Sequence, residues 1–100
     1  MVELNIKPEY LKMLVDIFNM YCPCAEVWAY GSRVRDDYHD GSDLDLTVKN
    51  YENSHINLAK LKLAISRSNI PFLVDVTEFN DLPKSFQEEI KKNYVVIYKG

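Results

Sequence analysis

The feature that most constrains the fold is a strict alternation of apolar and polar residues over positions 43–48. Every second residue there is Leu or Val, and the residues between them are Asp, Asp and Thr. Successive side chains of a β-strand point to opposite faces. The pattern therefore predicts a strand over Leu44–Lys49 whose leucines enter a core and whose Asp43 and Asp45 project together from the other face.

The remaining pattern alternates helices with strands. Predicted helices cover Pro8–Tyr21, a segment capped by Asn53 or Ser54 with Leu58, Leu61 and Ile65 buried, and a segment after Leu82-Pro83 with Phe86 and Ile90 inward. Predicted strands are Glu26–Tyr30, Leu44–Lys49, 72–77 and 95–98, and residues 33–40 begin as a short helix before a loop. At 100 residues, we expect one domain over residues 1–100. Its fold class is α/β (α+β), a single-layer mixed β-sheet of about four strands with helices packed on it.

Composition excludes several classes of function. The net charge of −3 makes nucleic-acid binding through phosphate neutralisation unfavourable. No apolar run approaches the roughly 20 residues of a membrane span, and the N-terminus lacks a secretory signal pattern, so we expect a cytoplasmic protein. Cys22 and Cys24 are too close in sequence to favour a disulfide, and with His39 and His55 they make no recognised zinc spacing.

Acidic residues indicate a site for divalent cations. Asp75 lies within a later apolar strand, and it joins Asp43 and Asp45 on one face if the two strands are neighbours. Clustered carboxylates repel one another unless a cation compensates their charge. Oxygen ligands without His or Cys favour Mg²⁺, with Mn²⁺ as an alternative.

A phosphate-binding segment precedes these carboxylates. Gly31 lets the backbone approach a phosphate, the Ser32 hydroxyl adds a donor, and the guanidinium groups of Arg33 and Arg35 match phosphate oxygens. Arg33 and Arg35 are interpreted equally well as solvated helix residues. Trp28 and Tyr30 are predicted to be core residues of a central strand.

Together, Gly31-Ser32, ten further residues, Asp43-x-Asp45 and the later Asp75 resemble the DNA polymerase beta-like nucleotidyltransferases, and within them the minimal nucleotidyltransferase (MNT) domains. The resemblance covers nearly the whole chain. It implies that Asp43 and Asp45 bind two Mg²⁺ ions, and that Asp75 binds one of them and helps to deprotonate an acceptor hydroxyl. It also implies that Gly31 and Ser32 hold the triphosphate of ATP, assisted by Arg33 or Arg35. The acidic Asp36 departs from the glycine of many relatives.

The same resemblance implies a partner. Larger relatives recognise their acceptor with an added helical domain, and MNT domains are paired with HEPN-domain toxins. We therefore expect an antitoxin that moves AMP from ATP to a tyrosine of a HEPN toxin, in a hetero-oligomer. Two alternatives remain open. The domain inhibits the HEPN partner by binding alone, or it transfers a nucleotide to a small-molecule hydroxyl.

Overall fold

A computed structural model describes residues 4–34, 43–50 and 56–100 of the chain. Their helices are α1 (Pro8–Tyr21), α2 (Leu58–Ser66) and α3 (Lys84–Lys92), and short 3₁₀ helices cover Ser32–Val34 and Phe79–Asp81. Their strands are β1 (Glu26–Tyr30), β2 (Leu44–Lys49), β3 (Val74–Glu78) and β4 (Val95–Lys99). This order of elements confirms the predicted α+β class.

The four strands form one mixed sheet in the order β3-β2-β1-β4. β1 is antiparallel to β2 and to β4, whereas β2 and β3 are parallel. The parallel pair needs a crossover between its strands, and α2 lies in that connection. The two central strands are β2 and β1, so the acidic strand predicted from the alternation lies in the middle of the sheet.

The main core lies between one face of the sheet and the helices α1 and α2. Fully buried members of this core come from β1 (Val27, Ala29), β2 (Leu44, Leu46, Val48), α1 (Leu14, Phe18) and α2 (Leu61). The alternation along β2 therefore turns its leucines into this core, as predicted. α1 begins with Pro8 at its first position, where a missing N–H costs no helical hydrogen bond.

A smaller apolar cluster covers the opposite face. Trp28 of β1 packs there against Phe79 and against Ile90 of α3, and its ring stacks on Tyr94 with centroids 4.3 Å apart. Trp28 is therefore a core residue, as predicted. Because α3 covers the β1 side of this face, Asp45 and Asp75 lie on the face that is only partly covered.

Three details differ from the sequence-based expectation. The cap of α2 is Asn57, whose side chain accepts a hydrogen bond from the Lys60 amide, whereas Asn53 and Ser54 lie outside the described residues. The third strand begins at Val74 and not at Phe72, whose half-buried ring makes an edge contact with Tyr10 at 5.9 Å. Phe86, predicted to point inward, is 43% exposed, since Ile90 is the buried residue of α3.

Both cysteines are free, as their spacing predicted; Cys22 is buried and Cys24 is exposed. Burial raises the pKa of the Cys22 thiol from its usual value of 9.0 to about 11. In the part of the chain that the structure describes, no helix has both the length and the apolar character needed to cross a bilayer.

Candidate active site

The site begins where β1 ends, at a glycine that no other residue replaces easily. Gly31 has φ 81°, in the left-handed region that L-residues with a side chain rarely adopt. A Cβ atom on Gly31 would collide with Oδ2 of Asp45 and lie 3.3 Å from its Cγ. The bare Cα of Gly31 and the Asp45 carboxylate are therefore packed directly against each other.

Sheet register then places three polar side chains in one row. Tyr30 of β1 pairs with Asp45 of β2, and Asp45 pairs with Asp75 of the parallel strand β3. Val74 and Val76, the neighbours of Asp75, contact the main core, so Asp75 projects from the same face as Asp45. Adjacent strands lie about 4.8 Å apart, and the two carboxylates are therefore neighbours on the sheet.

Tyr30 is a member of this row that the sequence did not assign to the site. Burial raises the pKa of its phenol above the ordinary value, the negative charges of Asp45 and Asp75 raise it further, and a hydrogen bond with the Thr77 side chain acts in the opposite direction. Tyr30 therefore stays protonated at neutral pH. Its hydrogen bond with Thr77 joins β1 to β3 across the intervening strand β2. The signal in the sequence was its alternation with Val27 and Ala29, which puts Tyr30 on the acidic face.

Asp43 immediately precedes β2 and is exposed to solvent. Over residues 4–34, 43–50 and 56–100, no three His, Cys, Asp or Glu side chains lie close enough together to hold a metal ion. The register thus makes Asp45 and Asp75 neighbours, and Asp43 lies two residues before Asp45 on the same side of the alternation.

The donor set nevertheless fits a hard divalent cation. Asp45 and Asp75 offer only carboxylate oxygens, and Mg²⁺ characteristically binds through one or two carboxylates together with substrate phosphates and water. The backbone of Gly31 lies directly against Asp45, so a phosphate bound by this glycine would lie next to the carboxylates. Asp45 and Asp75, with Asp43 beside them, are thus suited to Mg²⁺ that arrives with a nucleotide.

Arg33 occupies a different position from the one its sequence suggested. It is 5% exposed; Nη1 of its guanidinium donates to the carbonyl of Asn5 at 2.9 Å, and the group lies 4.0 Å from the centroid of the Phe72 ring. The Arg33 carbonyl in turn accepts hydrogen bonds from the backbone and side-chain amides of Asn5, both at 2.8 Å. These contacts attach the segment before α1 to the rest of the fold and show that Arg33 is not a solvated helix residue, whereas its role in binding phosphate stays a prediction.

Two further predicted residues lie at the margin of the described structure. Ser32 begins the short 3₁₀ helix that follows Gly31. Arg35 lies outside the described residues, as does the departure at Asp36. Their predicted positions relative to a nucleotide stay predictions.

The site combines neighbouring aspartates on two parallel strands of a mixed sheet with a glycine turn. This combination is the one expected of a nucleotidyltransferase. Residues 12–100 match the family described as "Polymerase beta, Nucleotidyltransferase". The chain belongs to this nucleotidyltransferase family, as its motifs predicted.

A particular relative is more informative. The chain is 38% identical over 96 residues to the "Probable protein adenylyltransferase MntA" of Haemophilus influenzae, and this match covers 95% of the chain and 84% of the relative. The similarity confirms the predicted resemblance to MNT proteins and the predicted nucleotidyltransferase activity.

Proposed function

We propose that this chain is a protein adenylyltransferase that moves AMP from ATP to a hydroxyl group of a partner protein. The observation that carries the proposal is the pairing of Asp45 with Asp75 directly beside the Gly31 turn. The similarity to a relative named as a probable protein adenylyltransferase supports the choice of AMP and of a protein acceptor.

The residues of the site have different roles toward the ATP donor and the acceptor hydroxyl. We place the triphosphate against the backbone of Gly31, which has no side chain to shield it, and Ser32 follows as a further donor. We assign Asp43, Asp45 and Asp75 as ligands of Mg²⁺. When bound, the metal neutralises phosphate charge and lowers the pKa of a coordinated hydroxyl.

The transfer itself is a displacement at the α-phosphorus of ATP. The acceptor oxygen forms a new bond to this phosphorus, the bond between the α-phosphorus and the bridging oxygen breaks, and pyrophosphate leaves. The acceptor's proton passes to the Asp75 carboxylate and then to solvent. Most of the rate enhancement in such reactions comes from positioning and charge stabilisation.

The acceptor side of the site is the β3 edge of the sheet. β3 is the terminal strand in the order β3-β2-β1-β4, and Asp75 is exposed on it. Leu73, just before this strand, is 74% exposed and is an apolar contact point close to Asp75. A protein acceptor can therefore reach Asp75 from outside the sheet, and we propose the tyrosine of a HEPN-domain toxin as this acceptor, with the chain acting as its antitoxin.

The test is transfer to the cognate partner. The HEPN protein is incubated with ATP, Mg²⁺ and either the wild-type chain or the Asp43→Asn/Asp45→Asn variant, and is then weighed by intact mass spectrometry. We expect the added mass of AMP with wild type only, and loss of toxin neutralisation in cells that express the variant. If no AMP is added while both proteins suppress toxicity equally, the chain acts by occlusion and the proposal is wrong.

A further inference from the structure

A cleft opens beside the proposed phosphate site on the side away from β3. Its volume is about 320 Å³, which lies within the range of small-molecule sites. Tyr30, Gly31 and Asp45 form its sheet side, so the cleft is continuous with the Gly31 turn. A ligand held at Gly31 can therefore extend into the cleft without crossing Asp75.

The opposite wall of the cleft belongs to α3 and the residue that follows its end. Phe86 and Asn93 both line the cleft from this side. The ring of Phe86 packs edge-on against Tyr30, with centroids 5.8 Å apart, yet 43% of the residue remains exposed. An exposed aromatic surface next to a side-chain amide combines stacking with paired donor and acceptor groups, the two contacts by which proteins recognise a nucleobase.

Charge argues against phosphates on the α3 side of the cleft. Glu89 lines the cleft there, and its carboxylate is only partly offset by an exposed ion pair with Lys92 at 3.1 Å. Carboxylates repel phosphate but accept hydrogen bonds from hydroxyl and amino groups. The uncharged nucleoside part of a nucleotide therefore fits the α3 side of the cleft, while its phosphates fit the Gly31 end.

The position of the cleft also separates it from the acceptor. Asp75 lies on the edge strand β3, whereas the cleft lies on the β1 side of Asp45. An acceptor hydroxyl has to approach Asp75, which is exposed on the terminal strand among the residues that the structure describes. The cleft and the β3 edge thus lie at opposite ends of the row formed by Tyr30, Asp45 and Asp75.

We propose that this cleft binds the nucleobase and ribose of the donor, with Phe86 as the stacking surface and Asn93 as the residue that selects adenine. The inference rests on the proposed function, because it takes the triphosphate to lie at Gly31. The Asn93 amide offers a donor and an acceptor at once, which matches the paired acceptor and amino donor of adenine. An aspartate at this position would offer acceptors only, which suits the neighbouring donors of guanine.

The experiment is calorimetric titration of the full chain with ATP, GTP and inorganic tripolyphosphate in the presence of Mg²⁺. The variants are Phe86→Ala and Asn93→Asp, and the control is Asn80→Asp, the same change at another exposed residue that does not line the cleft. Thermal unfolding of each variant establishes that it is folded; both altered side chains are substantially exposed, so we expect transitions close to that of wild type.

We expect Phe86→Ala to weaken ATP binding at least about fivefold, the lower end of the range for loss of one stacking partner, with tripolyphosphate unaffected. Asn93→Asp should reduce the preference for ATP over GTP at least about fivefold, and Asn80→Asp should change neither ratio. The inference is overturned if ATP binding is unchanged in both cleft variants, or if tripolyphosphate binding falls as much as ATP binding. It is also overturned if the cleft variants raise only the KM for the partner protein, because the cleft would then hold the acceptor.

The same samples distinguish failure of this inference from failure of the proposed function. If the wild-type chain transfers AMP but substitution of Phe86 and Asn93 does not change ATP binding, the proposed function stands and the nucleoside cleft is wrong. If ATP binding depends on both residues but the wild-type chain transfers no AMP to its partner, the nucleoside cleft stands and the proposed function is wrong. Absence of any nucleotide binding by the wild-type chain refutes both.

Discussion

Replacement of Gly31 by alanine tests the centre of the site, because two separate physical costs meet there. The first is conformational: φ 81° costs a residue with a Cβ about 1–2 kcal/mol relative to glycine. The second is steric: the new Cβ would overlap Oδ2 of Asp45 and lie 3.4 Å from the Asp45 Cβ. Relief of that overlap requires the Asp45 carboxylate to move away from its place beside Asp75.

The expected loss of stability is measurable by thermal unfolding. For a domain of this size, 1 kcal/mol corresponds to about 4–8 °C in Tm. The conformational cost alone therefore predicts a Tm for Gly31→Ala that is lower by about 4–16 °C, and the overlap with Asp45 increases the loss. Transfer of AMP should fall about a hundredfold, since a displacement on the order of 1 Å at a catalytic group costs this much.

A double-mutant cycle with Asp45→Ala separates the two costs. In the Asp45→Ala background the overlap is absent, so Gly31→Ala should cost only the conformational 1–2 kcal/mol estimated above. Equal costs of Gly31→Ala in both backgrounds would show that Gly31 and Asp45 are not packed together. A Gly31→Ala protein with wild-type Tm and wild-type transfer rate would refute the reasoning altogether.

Three further predictions concern the parts of the fold that support the site. Arg33→Met should lower the free energy of unfolding, measured in urea, by about 1.5–3 kcal/mol, the contribution typical of hydrogen bonds to a charged group. It should leave the Kd for ATP unchanged. A higher Kd for ATP with unchanged stability would instead indicate that Arg33 binds phosphate. Leu46→Ala, in the middle of the buried strand, should cost about 2–5 kcal/mol in the same assay, whereas Leu73→Ala, 74% exposed, should stay within about 0.5 kcal/mol of wild type; similar losses would mean that the sheet faces are assigned wrongly. Folding raises the pKa of the Cys22 thiol from 9.0 to about 11, so the thiol's contribution to stability is fully present below pH 9 and is lost as the pH rises toward 11. Cys22→Ala should therefore flatten the decrease in the free energy of unfolding over this pH range. An unchanged slope would contradict the burial of the thiol.

The sequence was sufficient for the features that depend on local pattern. The alternation over 43–48 predicted both the bounds of β2 and its two faces, because its leucines and Val48 have to enter the main core, although Thr47 on the other face is buried as well. Pro8 and the apolar spacing after it predicted α1 in the same way. The spacing of Gly31, Asp45 and Asp75 was specific enough to indicate the family.

Features that depend on pairing between distant segments were not predictable. The row of Tyr30, Asp45 and Asp75 requires both the order and the register of three strands, and neither is encoded in the pattern of a single strand. The burial of Arg33 was not predictable from the sequence either, because its partner Asn5 lies 28 residues earlier in the chain. The cleft under α3 was missed for the same reason, since Phe86 was counted as a core residue.

Whether the carboxylate pair on β2 and β3 performs the transfer is decided by substitution of Asp75. The measurement is the rate of AMP transfer to the partner by wild type, Asp75→Asn and the control Glu78→Gln, which removes a carboxylate from the same strand on the opposite side of the alternation. We expect Asp75→Asn to lower the rate at least about a hundredfold, as loss of a group that accepts the attacking proton does, while Glu78→Gln keeps the wild-type rate. Equal rates for Asp75→Asn and Glu78→Gln would contradict a catalytic role of the carboxylate pair.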